Sequence, residues 1–176
     1  MVWINVIQVL VSQLQGNQKR NGIGRDSQPG LSEGRSMGKV VLVIDAQGGG
    51  LGRQLINLIR REVPDVRIIA VGTNYAATAA MLKAGADEAA TGENSVVVAC
   101  RKADVIVGPV GMVIADSMLG EITPRMSHAI ARASALRVMI PFNDCDNYIA
   151  GISDYNMGKL LLDAVRKVRS VLTQEG

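Results

Sequence analysis

A chain of 176 residues is the size of one compact domain, and 48% hydrophobic content supplies a core for it. The net charge is only +3, and Lys19, Arg20, Arg25 and Arg35 against Asp26 and Glu33 place +2 of it in residues 1–36; with 3% aromatic residues this argues against a nucleic-acid binder. Two cysteines, Cys100 and Cys145, exclude a disulfide framework, and one histidine with scattered acids points away from a metal site, so a cytoplasmic protein with reduced thiols is expected.

In chain order, the apolar run 2–11 lacks the cationic start and cleavage site of a signal peptide. It also falls short of the roughly 18–20 apolar residues of a membrane span, so no membrane partner is expected. From Gln13 to Gly38 the composition turns to Gln, Asn, Gly, Ser and Arg, which cannot bury enough surface to order itself. Residues 1–36 are therefore read as a disordered extension or as a misassigned start upstream of Met37, and the domain as 37–176.

The first strand is Val40 to Ile44, a continuous apolar run as expected of a strand buried on both faces. Asp45-Ala46-Gln47-Gly48-Gly49-Gly50-Leu51-Gly52-Arg53 follows, a glycine-rich turn entering a helix at Leu51 or Gly52. Bare glycines let a ligand approach the main chain, and a helix N-terminus offers free N–H groups and positive dipole to an anion. Leu51, Leu55, Leu58 and Ile59 keep helical spacing until Pro64. Val66 to Val71 is the second strand, closing a βαβ unit that ends in Gly72-Thr73-Asn74.

Asn74 to Ala84 is an alanine-rich helix stopped by Gly85, and Asp87 to Ala90 a short third strand. Thr91-Gly92-Glu93-Asn94-Ser95 supplies polar N-cap chemistry for a helix to about Lys102, and Asp104 to Gly108 is the fourth strand. Pro109 to Gly120 is apolar and glycine-punctuated, either a loop with a short helix or a dimer surface, so a homo-oligomer is allowed. Thr123-Pro124 opens a helix to about Ser134, Arg137 to Ile140 is the fifth strand, and Asn147 to Ile152 a sixth. The last helix has the cleanest period, with Met157, Leu160, Leu161, Ala164, Val165, Val168, Val171 and Leu172 on one face.

Right-handed crossovers turn this order into a single α/β domain of Rossmann-like type: a doubly wound, mostly parallel sheet with helices on both faces. Ligands of such sheets bind beyond the carboxyl ends of the strands. That rule gathers Asp45, Gln47, Gly48, Gly49, Gly50, Leu51, Gly52 and Arg53 with Gly72, Thr73, Asn74, Gly92, Asn94, Gly108, Pro109 and Gly111 into one cofactor-binding set, with Pro141 to Cys145 nearby.

No nucleotide motif fits in full. The G-x-G-x-x-G fingerprint started at Gly48 and Gly50 meets Arg53 in its last place, and the short-chain dehydrogenase pattern puts Asp45 and Ala46 where Thr and Gly belong. The end of the second strand, where an acid usually holds the ribose, offers only neutral Thr73 and Asn74, which would tolerate a 2′-phosphate. An S-adenosylmethionine loop fits less well, and Gly52-Arg53-Gln54 lacks the lysine and hydroxyl of a Walker A loop. Asp45 is read either as a loop cap or as a ribose or metal contact, and Arg53 either as a phosphate contact or as a solvent-facing residue. As catalytic groups, Glu93, Glu121 and Cys145 are the ionisable candidates beside Asp45. Tyr155 with Lys159 has a Tyr-x-x-x-Lys spacing, which chance supplies often.

The segments V-x-V-I-D-x-Q-G-G-G-x-G-R-Q from Val41, A-V-G-T-N-x-A-A-T-A-A-M-L-K-A-G-A-D from Ala70, A-T-G-E-N from Ala90, G-P-x-G-x-V-I-A-D-x-x-L-G-E-I-T-P from Gly108 and I-P-x-N from Ile140 together resemble a bacterial domain-of-unknown-function family, number 3842. The resemblance implies a Rossmann-like cytoplasmic protein and brings no activity with it. The combined expectation is a small nucleotide-binding protein with NADP or NAD as cofactor, acting either as an oxidoreductase or as a non-enzymatic sensor or scaffold.

Overall fold

A computed structural model describes residues 38–141, 147–152 and 156–173. The expected segment 1–36, most of the stretch 141–145, Cys145 and Tyr155 lie outside the described residues. Five strands, β1 (Val40–Asp45), β2 (Arg67–Gly72), β3 (Glu88–Thr91), β4 (Val105–Pro109) and β5 (Leu136–Ile140), form one sheet in the order β3-β2-β1-β4-β5. Every pairing is parallel. Five helices connect or follow them: α1 (Gly50–Glu62), α2 (Tyr75–Lys83), α3 (Glu93–Ala99), α4 (Pro124–Arg132) and α5 (Met157–Thr173).

The pleat sorts the core into two layers. Val41 and Val43 of β1 point to the side where Leu55, Ile56 and Ile59 of α1, Met81 of α2 and Leu161, Val165 and Val168 of α5 close over the sheet. Val40, Leu42 and Ile44 point to the other side, against Val96 of α3 and Met126 and Ile130 of α4. Because both faces are covered, all six β1 residues are buried, and this produces the unbroken apolar run in the sequence. Each of the large aliphatic side chains contributes on the order of 1.5–3 kcal/mol by leaving water.

Helix ends follow local chemistry. The Asn74 side chain accepts from the Ala77 N–H at 3.0 Å and starts α2, and Gly85 stops it with a φ of +105°. Thr123 caps α4 by accepting from the Met126 N–H at 3.2 Å, with Pro124 in the first turn. One expectation is corrected, and one open alternative is narrowed. Residues 147–152 form no sixth strand but an irregular segment with a turn at Ala150 and Gly151, whose φ is +89°. The 109–120 region is a loop carrying a short 3₁₀ turn, Val110–Val113, closed by hydrogen bonds such as Ser117 Oγ to the Gly111 carbonyl at 2.6 Å.

Candidate functional site

The strand order places β1 beside β4, and the chain leaves these two strands in opposite directions along the sheet, β1 toward β2 and β4 toward β5. Their carboxyl ends therefore part into a crevice, the switch point where doubly wound sheets take ligands. A cleft of about 290 Å³ occupies that point, lined by Asp45, Ala46, Gln47, Gly48, Gly50 and Leu51 of the turn, Gln54 of α1, Pro109 at the end of β4, Met118 and Met157. Its size is at the small end of ligand pockets.

The glycines of the turn separate into two groups by what a side chain would meet. Gly49 has a left-handed φ of +67°, and an added Cβ would lie 2.7 Å from the Ala77 Cα. At Gly52 it would lie 2.5 Å from the Met81 Sδ and 2.9 Å from the Asp45 Cβ, so α1 needs glycine to sit against β1 and α2. Gly48 and Gly50 are different: both are exposed, neither has a left-handed φ, and an added Cβ would meet nothing within 4 Å. Among the described residues nothing calls for glycine at these two places, and both line the cleft.

Asp45 corrects the picture of bare amides at the helix start. Its carboxylate accepts from the Gly52 N–H at 2.6 Å and the Ala46 N–H at 2.9 Å, so the chain's own anion sits at the N-terminus of α1. Of the two roles open in the sequence, the geometry is that of the cap. Burial raises the Asp45 carboxyl above its ordinary range; the Gly52, Ala46 and Leu51 amides pull the other way, and the charge of Glu121 adds a smaller push upward. A phosphate at this turn would meet the rim at Gly48 and Gly50 rather than the first-turn amides that Asp45 holds.

Glu121 supplies a second correction. It reaches from the loop after β4 to the end of β2, where its Oε2 accepts from Thr73 Oγ1 at 2.5 Å, Asn74 Nδ2 at 3.0 Å and the Gln47 N–H at 3.0 Å. The Thr73 hydroxyl is the main reason its carboxyl lies below the ordinary range, with the Gln47 and Asn74 bonds adding to it against burial. The end of β2 is thus not neutral, as the local sequence implies; a carboxylate is delivered to it from 47 residues further along the chain.

The remaining expected residues are spread around this centre. Gly72 is packed on Thr78, and Gly108 on the Ile44 carbonyl oxygen, which an added Cβ would approach to 2.5 Å. Gly92 and Asn94 stand beyond the outer strand β3, with the Gly92 N–H donating to the Gly72 carbonyl at 2.9 Å, and Gly111 is buried in the 3₁₀ turn. Arg53 is exposed on α1 and is not part of the cleft lining. Glu93 is held by Thr123 Oγ1 at 2.7 Å and Arg125 at 3.0 Å, and the Thr123 bond leads in lowering its carboxyl. Gln54, Met118 and Met157 line the cleft without having been singled out in the sequence; only the position of Gln54, one turn into the helix after the glycines, gave a usable signal.

The chain belongs to the family described as "Domain of unknown function (DUF3842)", whose model matches residues 40–173. Among solved structures it is similar to AibC, with 22% identity over 77% of this chain and 43% of that one and a TM-score of 0.43. It thus spans less than half the length of that protein. It is also similar to a dodecameric FMN-dependent UbiX-like decarboxylase from Escherichia coli O157:H7, with 15% identity over 76% of this chain and 75% of that one and a TM-score of 0.37. A search of curated proteins gave no match. Among the described residues no helix is long and apolar enough to cross a membrane.

Proposed function

We propose, with membership of that family as the premise, that the crevice between β1 and β4 binds a nucleotide, NAD or NADP before others, and that the protein works by binding it as a sensor or regulatory protein. The domain responsible is taken as 37–176. Gln47, Gly48, Gly50, Leu51 and Pro109 are the contacts assigned to the ligand, with the phosphates against Gly48 and Gly50.

One observation carries this reading: Gly48 and Gly50 line the cleft at positions where the described residues give glycine no reason to be. Close approach by something outside the chain is the physical reason left for them. A binding role is favoured over an oxidoreductase because the candidate acids among the described residues, Asp45, Glu93 and Glu121, are each engaged by two or more hydrogen bonds within the protein. A proton donor for hydride chemistry has to be free to reach substrate.

The test is a thermal-shift panel of NAD, NADP, FMN, ATP, GTP and S-adenosylmethionine on the full chain. A ligand at a hundred times its Kd stabilises by about 2.7 kcal/mol, which raises the Tm by several degrees in a protein of this size. Gly50→Val is expected to melt close to the unsubstituted protein and to lose the shift. Absence of a shift with every nucleotide overturns the proposal, and turnover of a carbonyl substrate with NADH or NADPH replaces the sensor role by an oxidoreductase.

A further inference from the structure

We infer that Glu121 sets the ribose selectivity of the cleft, accepting the unphosphorylated vicinal diol of a nucleoside and rejecting a 2′-phosphate. The inference rests on the nucleotide reading above. In a βαβ unit that binds a nucleotide, the turn after β1 meets the phosphates and the end of β2 meets the ribose. Here β2 ends at Gly72 and is followed by Thr73 and Asn74, neither of which can act as an anionic acceptor. The carboxylate at that position comes from the loop after β4 and stands beside the cleft, bonded to Gln47 of its lining, rather than among the lining residues themselves.

Its placement is tightly determined. The bonds from Thr73, Asn74 and Gln47 all fall on Oε2, leaving Oε1 outside this set. The loop behind it is pinned by the Asp116 N–H to the Ile122 carbonyl at 2.8 Å and the Glu121 N–H to the Met118 carbonyl at 3.2 Å. Asp116, Met118 and Leu119 hold left-handed φ values of 61°, 56° and 58°, a conformation that non-glycine residues keep only where surrounding contacts impose it. Through these backbone bonds the loop carries Glu121 to the end of β2.

The three partners of Oε2 are neutral, so they orient the carboxylate without cancelling its charge. These bonds keep the carboxyl ionised at neutral pH. Asp45, whose own carboxyl feels the Glu121 charge, adds to the negative field on this side of the turn. An ionised carboxylate on neutral donors is a strong acceptor for ribose hydroxyls and repels a phosphate dianion. The tolerance of a 2′-phosphate that Thr73 and Asn74 suggest is thereby reversed.

The experiment compares NAD and NADP binding by calorimetry on the full chain and on Glu121→Gln, which keeps an acceptor oxygen and removes the charge. The unsubstituted protein is expected to bind NAD at least about tenfold more tightly than NADP, and Glu121→Gln to bring the two within about threefold. Should that variant not fold, the same ratio is measured on the unsubstituted protein as ionic strength rises, where screening must shrink it. NAD bound with no preference over NADP, or a preference that neither the variant nor salt changes, overturns this inference and leaves the nucleotide reading in place. Binding of neither dinucleotide overturns both.

Discussion

Three glycines within four positions of the turn are expected to respond to alanine in three different ways. At Gly50 the new methyl meets open space in the first turn of α1, and the loss of backbone freedom in the unfolded chain stabilises by about 0.4–1 kcal/mol. At Gly52 the methyl would lie 2.5 Å from the Met81 Sδ and 2.9 Å from both the Met81 Cγ and the Asp45 Cβ. Neither neighbour yields easily, since Met81 is fully buried and the Asp45 carboxylate is held by the Gly52 and Ala46 amides. Overpacking of this kind costs about 1–3 kcal/mol, against about 1 kcal/mol of helix propensity gained, for a net loss of up to roughly 2 kcal/mol. At Gly49 the left-handed φ adds about 1–2 kcal/mol to a clash with the Ala77 backbone, which cannot move aside. At roughly 2–4 °C per kcal/mol, thermal melts should show Gly50→Ala about 1–4 °C above the unsubstituted protein, Gly52→Ala up to about 8 °C below, and Gly49→Ala lowest. A Gly52→Ala protein as stable as Gly50→Ala would refute the division of the turn into structural and ligand-facing glycines.

Two further outcomes follow from the same geometry. Burial raises the Asp45 carboxyl above its ordinary 3.8, so the folded state holds that proton more tightly than the unfolded chain; the resulting stability is complete below the ordinary value and is lost as pH rises through the folded one. The Tm of the unsubstituted protein minus that of Asp45→Asn should therefore fall between acid and neutral pH, and a rise would mean that the amides at the start of α1 outweigh burial. Thr123→Ala removes the cap on Met126 and the bond to Glu93, and chemical denaturation should record a loss of about 0.5–2 kcal/mol.

The fold was legible because its determinants are local. The apolar run of β1, the asparagine and threonine caps at residues 74 and 123, Gly85 behind α2 and the period of α5 each express a constraint within a few residues of chain. The expected sixth strand failed because 147–152 is short and has Gly151 at a positive φ, features that composition alone does not weigh. The site was legible only in outline. Strand order and the glycine turn point to the cleft, but Glu121 meets Thr73, Asn74 and Gln47 through a loop whose left-handed residues no periodicity foretells. Asp45 shows the same limit: its two roles are chemically equivalent until the distance to the Gly52 amide is known.

Gly108, the neighbour of Pro109 in the cleft lining, sits on the Ile44 carbonyl main chain against main chain, with no room for a different residue. The lining itself includes Met118 and Met157, two unbranched thioethers that adopt many shapes at little cost. The cleft thus combines an inflexible strand seam beside it with pliable side chains in its lining. Retuning it toward a bulkier or slimmer guest is a matter of exchanging those two methionines, while the spacing between the strands stays as it is.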